Sequence, residues 1–155
     1  MFLAEQLSEF YPDLLDNEFT SKFAIYHQRY STNTFPTWSL AQPFRVLAHN
    51  GEINTLKGNI NWMSAHEPRI THPFFNERIN DLKPILDPDA SDSASLDAAF
   101  ELFVQTDRDM PMAKSMIIPE SWSNRSDLSD QLKAMYSYCN AVIEPWDGPA
   151  ACLLY

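Results

Sequence analysis

Mixed α and β structure of the α+β class is what the chain predicts, and three observations carry that prediction. Apolar residues recur at helical spacing in four separate stretches, short alternating or apolar runs bounded by turn-formers occur in others, and 45% of residues are apolar with 13% aromatic. The 155 residues suit one ordinary domain, or one piece of a larger one, able to bury about two-thirds of the surface its unfolded chain exposes.

Leu3, Leu7 and Phe10 fall at helical spacing before Pro12 interrupts, which predicts a short helix and then a loop. Residues 22–29 alternate as a strand does, residues 45–49 form a second short apolar run leading into Asn50-Gly51, and the two are expected to pair in one sheet. From Asn54, a residue suited to cap a helix, Leu56, Ile60 and Met63 mark one helical face until Pro68. Pro73, Pro84 and Pro88 make residues 69–89 an irregular excursion, with Phe74, Phe75, Ile79 and Leu82 available to anchor it.

Leu96, Phe100, Phe103 and Val104 form the next helical stripe, beginning just after Ser91-Asp92-Ser93. Met116-Ile117-Ile118 fits either a buried strand or the end of a helix, and periodicity leaves both open. Leu128, Leu132, Met135, Tyr136 and Cys139 mark a further amphipathic helix. Trp146-Asp147-Gly148-Pro149 reads as a turn, and residues 150–155 begin an apolar strand.

Charge excludes some partners. With 21 acidic against 11 basic residues, net −10, the surface repels nucleic-acid backbones and anionic membranes. No apolar run has the length of a membrane span, and Met1-Phe2-Leu3-Ala4-Glu5 lacks the basic start and apolar stretch of a signal peptide, so a cytoplasmic location is expected. Cys139 and Cys152 have no metal-ligand spacing and are expected as buried small hydrophobes rather than activated thiolates. His27, His49, His66 and His72 contain no His-Glu-x-x-His pair, and Asp87-Pro88-Asp89 lacks the rest of an oxygen-ligand loop, so no metal is expected. Trp38, Trp62, Trp122 and Trp146 are expected as core or pocket walls, since no basic stripe accompanies them.

The most informative stretch is His27-Gln28-Arg29-Tyr30-Ser31-Thr32-Asn33-Thr34-Phe35-Pro36-Thr37-Trp38, followed by Ala48-His49-Asn50-Gly51-Glu52-Ile53-Asn54-Thr55. The run as far as Glu67 resembles the glutaminase domain of glutamate synthase large subunits, a class II glutamine amidotransferase. The resemblance continues through Ser91-Asp92-Ser93-Ala94-Ser95-Leu96-Asp97 and Glu144-Pro145-Trp146-Asp147-Gly148-Pro149-Ala150-Ala151, covering most of the chain beyond about Phe19.

Breaking a glutamine side-chain amide needs a nucleophile, donors for the oxyanion of the tetrahedral intermediate, and groups that hold the amino-acid end. The resemblance implies that Arg29 binds the substrate α-carboxylate, a task suited to its planar fork. Its plainer reading is a structural arginine tied to a local carboxylate or carbonyl. Asn50, through its side-chain N–H, and Gly51, through its backbone N–H, are implied as the oxyanion donors, although Asn-Gly between two apolar runs is also the signal of a type I′ hairpin turn. Asp92 is implied as acceptor for the α-ammonium, while a residue of its type also caps helices. These groups are expected to converge on one cavity sized for a free amino acid.

For the fold, the resemblance implies an N-terminal-nucleophile hydrolase sandwich with layers α, β, β, α. Residues 1–155 would be part of one such domain, lacking its N-terminal segment and its C-terminal remainder. The family's nucleophile is an N-terminal cysteine whose own amine serves as base; none precedes Cys139, so the chain alone is expected to be inactive. Implied function is hydrolysis of glutamine to glutamate and ammonia, the ammonia serving reductive amination of 2-oxoglutarate. No cofactor is expected in this chain; FMN and an iron-sulfur cluster belong to the other domains of the parent enzyme. Those domains, and a small NADPH-oxidising subunit, are the implied partners. NADPH and ferredoxin remain open as electron donor, with the Phe35-Pro36-Thr37-Trp38 stretch nearer the NADPH type. The alternative is a non-catalytic glutamine-binding or interaction module derived from such a domain.

Overall fold

The computed structural model describes residues 3–27, 35 and 37–155. It divides into two compact units, Met1–Trp38 and Ser39–Tyr155.

In the first unit, a turn of 3-10 helix at Ala4–Gln6 runs into the one-turn helix α1 (Leu7–Phe10), and Pro12 opens a second 3-10 turn, Pro12–Leu15. Proline is tolerated there because the first turn of a helix leaves its N–H unbonded anyway. The expected short helix and its interruption at Pro12 are found, with a 3-10 turn where a loop was expected. Of the expected strand over residues 22–29, residues 22–27 form no strand, and 28 and 29 lie outside the described residues. Alternation over six residues sets no partner, and Phe23 and Tyr26 are both exposed.

The second unit holds strand β1 (Leu47–Gly51) and four helices: α2 (Lys57–His66), α3 (Asp92–Gln105), α4 (Met110–Ile117) and α5 (Asp130–Val142). It ends in strand β2 (Ala150–Leu154). The three later helices begin on side-chain caps, with Ser91, Asp109 and Ser129 accepting from the backbone N–H groups of Ala94, Met112 and Leu132. Met116 and Ile117 therefore close a helix rather than form a strand. Helix α4 as a whole went unread, because Pro111 interrupts the apolar pattern while suiting the first turn.

Leu96 and Phe100 of α3, Met116 and Ile117 of α4, Cys139 of α5 and Leu47 of β1 form the centre of the core. Around the excursion at 69–89 the anchor is Leu86, while Phe74, one of the expected anchors, is exposed. Among the tryptophans Trp146 is in the core, but Trp38 is almost wholly exposed and forms no wall.

β1 pairs antiparallel with β2: Leu47 lies opposite Leu154, His49 opposite Cys152 and Gly51 opposite Ala150. The ladder runs on past both strands, as the N–H of Tyr155 donates to the Val46 carbonyl at 3.3 Å, that of Glu52 to Pro149 at 2.9 Å and that of Asn54 to Asp147 at 2.8 Å. Asn54 thus continues the ladder rather than capping a helix, and α2 starts at Lys57 with Leu56 in the cap position and no side-chain cap bond. Bonded positions on the first strand are the even ones, so positions 47, 49 and 51 turn their N–H and C=O groups away from β2.

That outer row is occupied in order. Leu47 N–H donates to Asp97 Oδ1 at 3.0 Å, and His49 N–H to Gln42 Oε1 at 2.7 Å. Asp97 also accepts from the N–H groups of Arg45 at 3.2 Å and Val46 at 3.0 Å, so one carboxylate on α3 holds the whole entry to β1.

Candidate functional site

Gly51 supplies the third N–H of the outer row on β1. The ladder leaves it clear of β2, and no described residue accepts from it. Glycine is required there by close approach: a Cβ would collide with the Pro149 carbonyl oxygen and lie 2.5 Å from Ala150 Cα. A second glycine, Gly148, sits across the ladder with φ +131°, and a side chain on it would strike the Glu52 carbonyl. Asn50 and Gly51 are therefore paired strand residues, and the hairpin-turn reading of Asn-Gly is overturned. The turn lies instead across the sheet, where the chain bends at Gly148.

Side chains alternate along a strand, so Leu47 and His49 share one face while Asn50 leaves from the other. Leu47 is fully buried and Asn50 is exposed. His49 faces the start of α3, where its Nε2 lies 2.6 Å from Ser93 Oγ. The Ser93 hydroxyl donates onward to Asp92 Oδ1 at 3.0 Å, and the Ser93 backbone N–H reaches the same oxygen at 2.6 Å.

Since Ser93 gives its proton to Asp92, His49 donates from Nε2, leaving Nδ1 unprotonated, buried and without an acceptor or donor partner among the described residues. Burial pushes the His49 imidazole below its ordinary pKa, with Asp92 pulling weakly the other way. The histidine is neutral at neutral pH.

Asp92 is the first residue of α3, and the capping role belongs to Ser91. That leaves the Asp92 carboxylate engaged only locally, at the positive end of a helix where a negative charge is favoured. The structure thus joins the segment of Asn50 and Gly51 to that of Asp92 through His49 and Ser93. Arg29 lies outside the described residues. A cavity of about 290 Å³ exists, but Trp62, Phe103 and Arg108 line it and none of Asn50, Gly51 or Asp92 does.

His49 and Asp97 are the two residues whose work the sequence did not disclose. Asp97 is 4% exposed, and its position one turn after Ser93 on the apolar stripe of α3 was the available signal: a carboxylate on a buried face must find donors. Of the two thiols, Cys139 is buried as expected, whereas Cys152 is exposed on β2 opposite His49. Loss of hydration raises the pKa of both, an effect that Lys114 opposes at Cys152. Neither is set up as a thiolate nucleophile. No group of three His, Cys, Asp or Glu residues is placed to hold a metal ion among the described residues.

No helix among the described residues is long and apolar enough to cross a membrane. Comparison with known proteins matches the family described as Glutamine amidotransferases class-II over residues 1–155. Among curated relatives, the glutamate synthase [NADPH] large chain of Azospirillum brasilense is 62% identical over 97% of this chain and 10% of its own length. The corresponding large chain of Bacillus subtilis (strain 168) is 51% identical over 95% of this chain, and the ferredoxin-dependent glutamate synthase of Pyropia yezoensis 48% over 97%. Here too the chain spans 10% of each relative's length. With a strand that presents Asn50 and Gly51 and is tied to Asp92, and with a family match along its whole length, the chain belongs to the class-II glutamine amidotransferases.

Proposed function

We propose that the chain is part of the glutaminase domain of a glutamate synthase, in which glutamine is hydrolysed to glutamate and ammonia and the ammonia is used for reductive amination of 2-oxoglutarate. The observation that carries this reading is the Gly51 N–H, projected from the outer edge of β1 beside the Asn50 side chain. A fixed backbone donor next to a side-chain amide is what stabilises the oxygen of a tetrahedral intermediate, and loss of one such donor typically costs about 3 kcal/mol in the transition state. Asp92 accepts the substrate α-ammonium, and Arg29 binds the α-carboxylate. The glutamine zwitterion is then held at both charged ends while its amide carbonyl meets residues 50 and 51.

In this reading residues 1–155 are part of one N-terminal-nucleophile hydrolase domain of the α, β, β, α sandwich type. The nucleophile is a cysteine other than Cys139 and Cys152, both of which have raised pKa values. The chain by itself therefore releases no ammonia from glutamine. FMN, the iron-sulfur cluster, the synthase domains and a small NADPH-oxidising subunit lie outside this chain, and the setting is cytoplasmic.

Titration of the isotope-labelled chain with L-glutamine, followed by NMR, tests the binding half. Weak, saturable shifts confined to the Gly51 N–H, the Asn50 side-chain amide and the first turn of α3 are expected, with D-glutamine giving none. Shifts mapping elsewhere, or equal responses to both enantiomers, would overturn the site. Ammonia release by the pure chain would overturn the assignment of the nucleophile.

A further inference from the structure

Five arginines lie within the described residues, and their partners divide them sharply. Arg45 pairs with Glu101, Arg78 with Asp81 and Arg125 with Asp127. Arg69 and Arg108 make no ion pair among the described residues, although the chain carries 21 acidic residues against 11 basic ones. Both arginines line the same cavity, the one of about 290 Å³ in the second unit.

The walls of that cavity have two characters. Met63, Leu102, Phe103 and Ile143 make an apolar surface, and Trp62 and His66 add two rings with centroids 6.0 Å apart. Arg108 is held over the Phe103 ring at 5.0 Å from its centroid, and one of its terminal nitrogens donates to Thr106 Oγ1 at 3.1 Å and to the Thr106 carbonyl at 3.3 Å. Stacking and these two bonds fix the guanidinium while leaving most of its five N–H donors uncommitted. His72, also at the cavity, is tied down on both sides: its Nδ1 accepts from the Phe74 N–H and its Nε2 lies 3.2 Å from Asp107 Oδ2. No Asp or Glu among the described residues lines the space.

An apolar chamber of this size, at the lower end of the about 300–1,000 Å³ usual for small-molecule sites, with a fixed cation and no anion, selects ligands by charge and shape together. We infer that it is a binding site for a small organic carboxylate with an aromatic or aliphatic body, the carboxylate on Arg108 and Arg69 and the body against Phe103 and Trp62. None of Asn50, Gly51 and Asp92 lines the cavity, so its occupancy leaves their proposed roles untouched. Glutamine itself does not fit the description, since its ammonium would face two unpaired arginines and its side-chain amide an apolar wall.

The test is an NMR titration of the whole chain with 3-phenylpropanoate, and with 3-phenylpropanamide as its uncharged counterpart. Expected are saturable shifts at the Trp62 indole N–H and the Arg108 side-chain N–H, with the amide binding at least tenfold more weakly. Arg108→Met should weaken the acid at least tenfold and bring it level with the amide. Because Arg108 also packs on Phe103, Arg69→Met provides a second variant: Arg69 holds no partner among the described residues, so its loss tests charge without disturbing packing, and a severalfold weakening is expected. Equal binding of acid and amide, shifts mapping away from the cavity, or unchanged affinity in both variants would overturn the assignment.

Discussion

His49 on β1 donates from Nε2 to Ser93 Oγ on α3 at 2.6 Å, and this one bond joins the strand of Asn50 and Gly51 to the helix of Asp92. It links two sequence motifs through residues 44 positions apart in the chain. Ser93 passes its own proton to Asp92, so the three side chains form a directed chain from imidazole to hydroxyl to carboxylate.

The buried imidazole makes stability depend on pH. Its folded pKa is lowered from 6.5, chiefly by desolvation and against the pull of Asp92. The unfolded chain therefore binds a proton more readily than the folded one, and the contribution of neutral His49 is complete above 6.5 and lost as pH falls through the folded value. Urea denaturation at about pH 7.5 and about pH 5.5 should show the chain losing stability on acidification, with a smaller loss in His49→Gln. An equal loss in the two proteins would show that another group carries the dependence.

Asp97 predicts a larger effect. Its carboxylate accepts three backbone N–H groups, from Arg45, Val46 and Leu47, in a position with 4% exposure. Asp97→Ala leaves those donors without an acceptor, and at about 1–3 kcal/mol for each unsatisfied buried group, reduced by relaxation, a net loss of roughly 3 kcal/mol is expected. Asp97→Asn should recover only part of it, because the amide offers one accepting oxygen in place of two. Hydrogen exchange at residues 45–47 checks the mechanism, since their protection should fall before that of α5.

Two glycines should respond to alanine in opposite ways. At Gly51 the added Cβ meets backbone atoms of Pro149 and Ala150, which move only if the ladder opens. At Gly58, inside α2, it meets the carboxylate of Glu144, the far end of a flexible side chain. Gly58→Ala should be close to neutral or stabilising by up to about 1 kcal/mol through helix propensity. Gly51→Ala should cost about 2 kcal/mol or more, as overpacking does, and should displace the Gly51 N–H. Thermal or urea unfolding of both variants decides the matter, and a Gly51→Ala protein as stable as the parent would refute the described contact.

Much of this architecture was legible because helical stripes are local. Leu96, Phe100 and Phe103 sit on one face of a single element, and a period of 3.6 announces them without reference to anything distant. Strand pairing carries no such local mark: residues 45–49 offered an edge, and only the fold shows that Cys152 lies opposite His49. Asn50, Gly51 and Asp92 were picked out by motif resemblance, but motif alone could not say that Asn50 and Gly51 are paired strand residues. Nor could it find Asp97, whose donors lie about fifty residues away in the chain.

The two thiols supply the last prediction. Cys152 is exposed and Cys139 is fully buried in α5, so an alkylating reagent such as iodoacetamide should modify Cys152 first and Cys139 only on unfolding. The pKa of Cys152 is raised by loss of hydration, and Lys114 opposes the shift incompletely. Alkylation proceeds through the thiolate, so its rate at neutral pH should be lower than that of a free thiol and should keep rising with pH beyond the point where a free thiol levels off. Mass spectrometry of partly modified chain assigns the site, and the pH profile of the rate reads the shift. Rapid alkylation of Cys152 at neutral pH, faster than a free thiol, would mean an activated thiolate opposite His49 and would reopen the question of which cysteine can attack an amide.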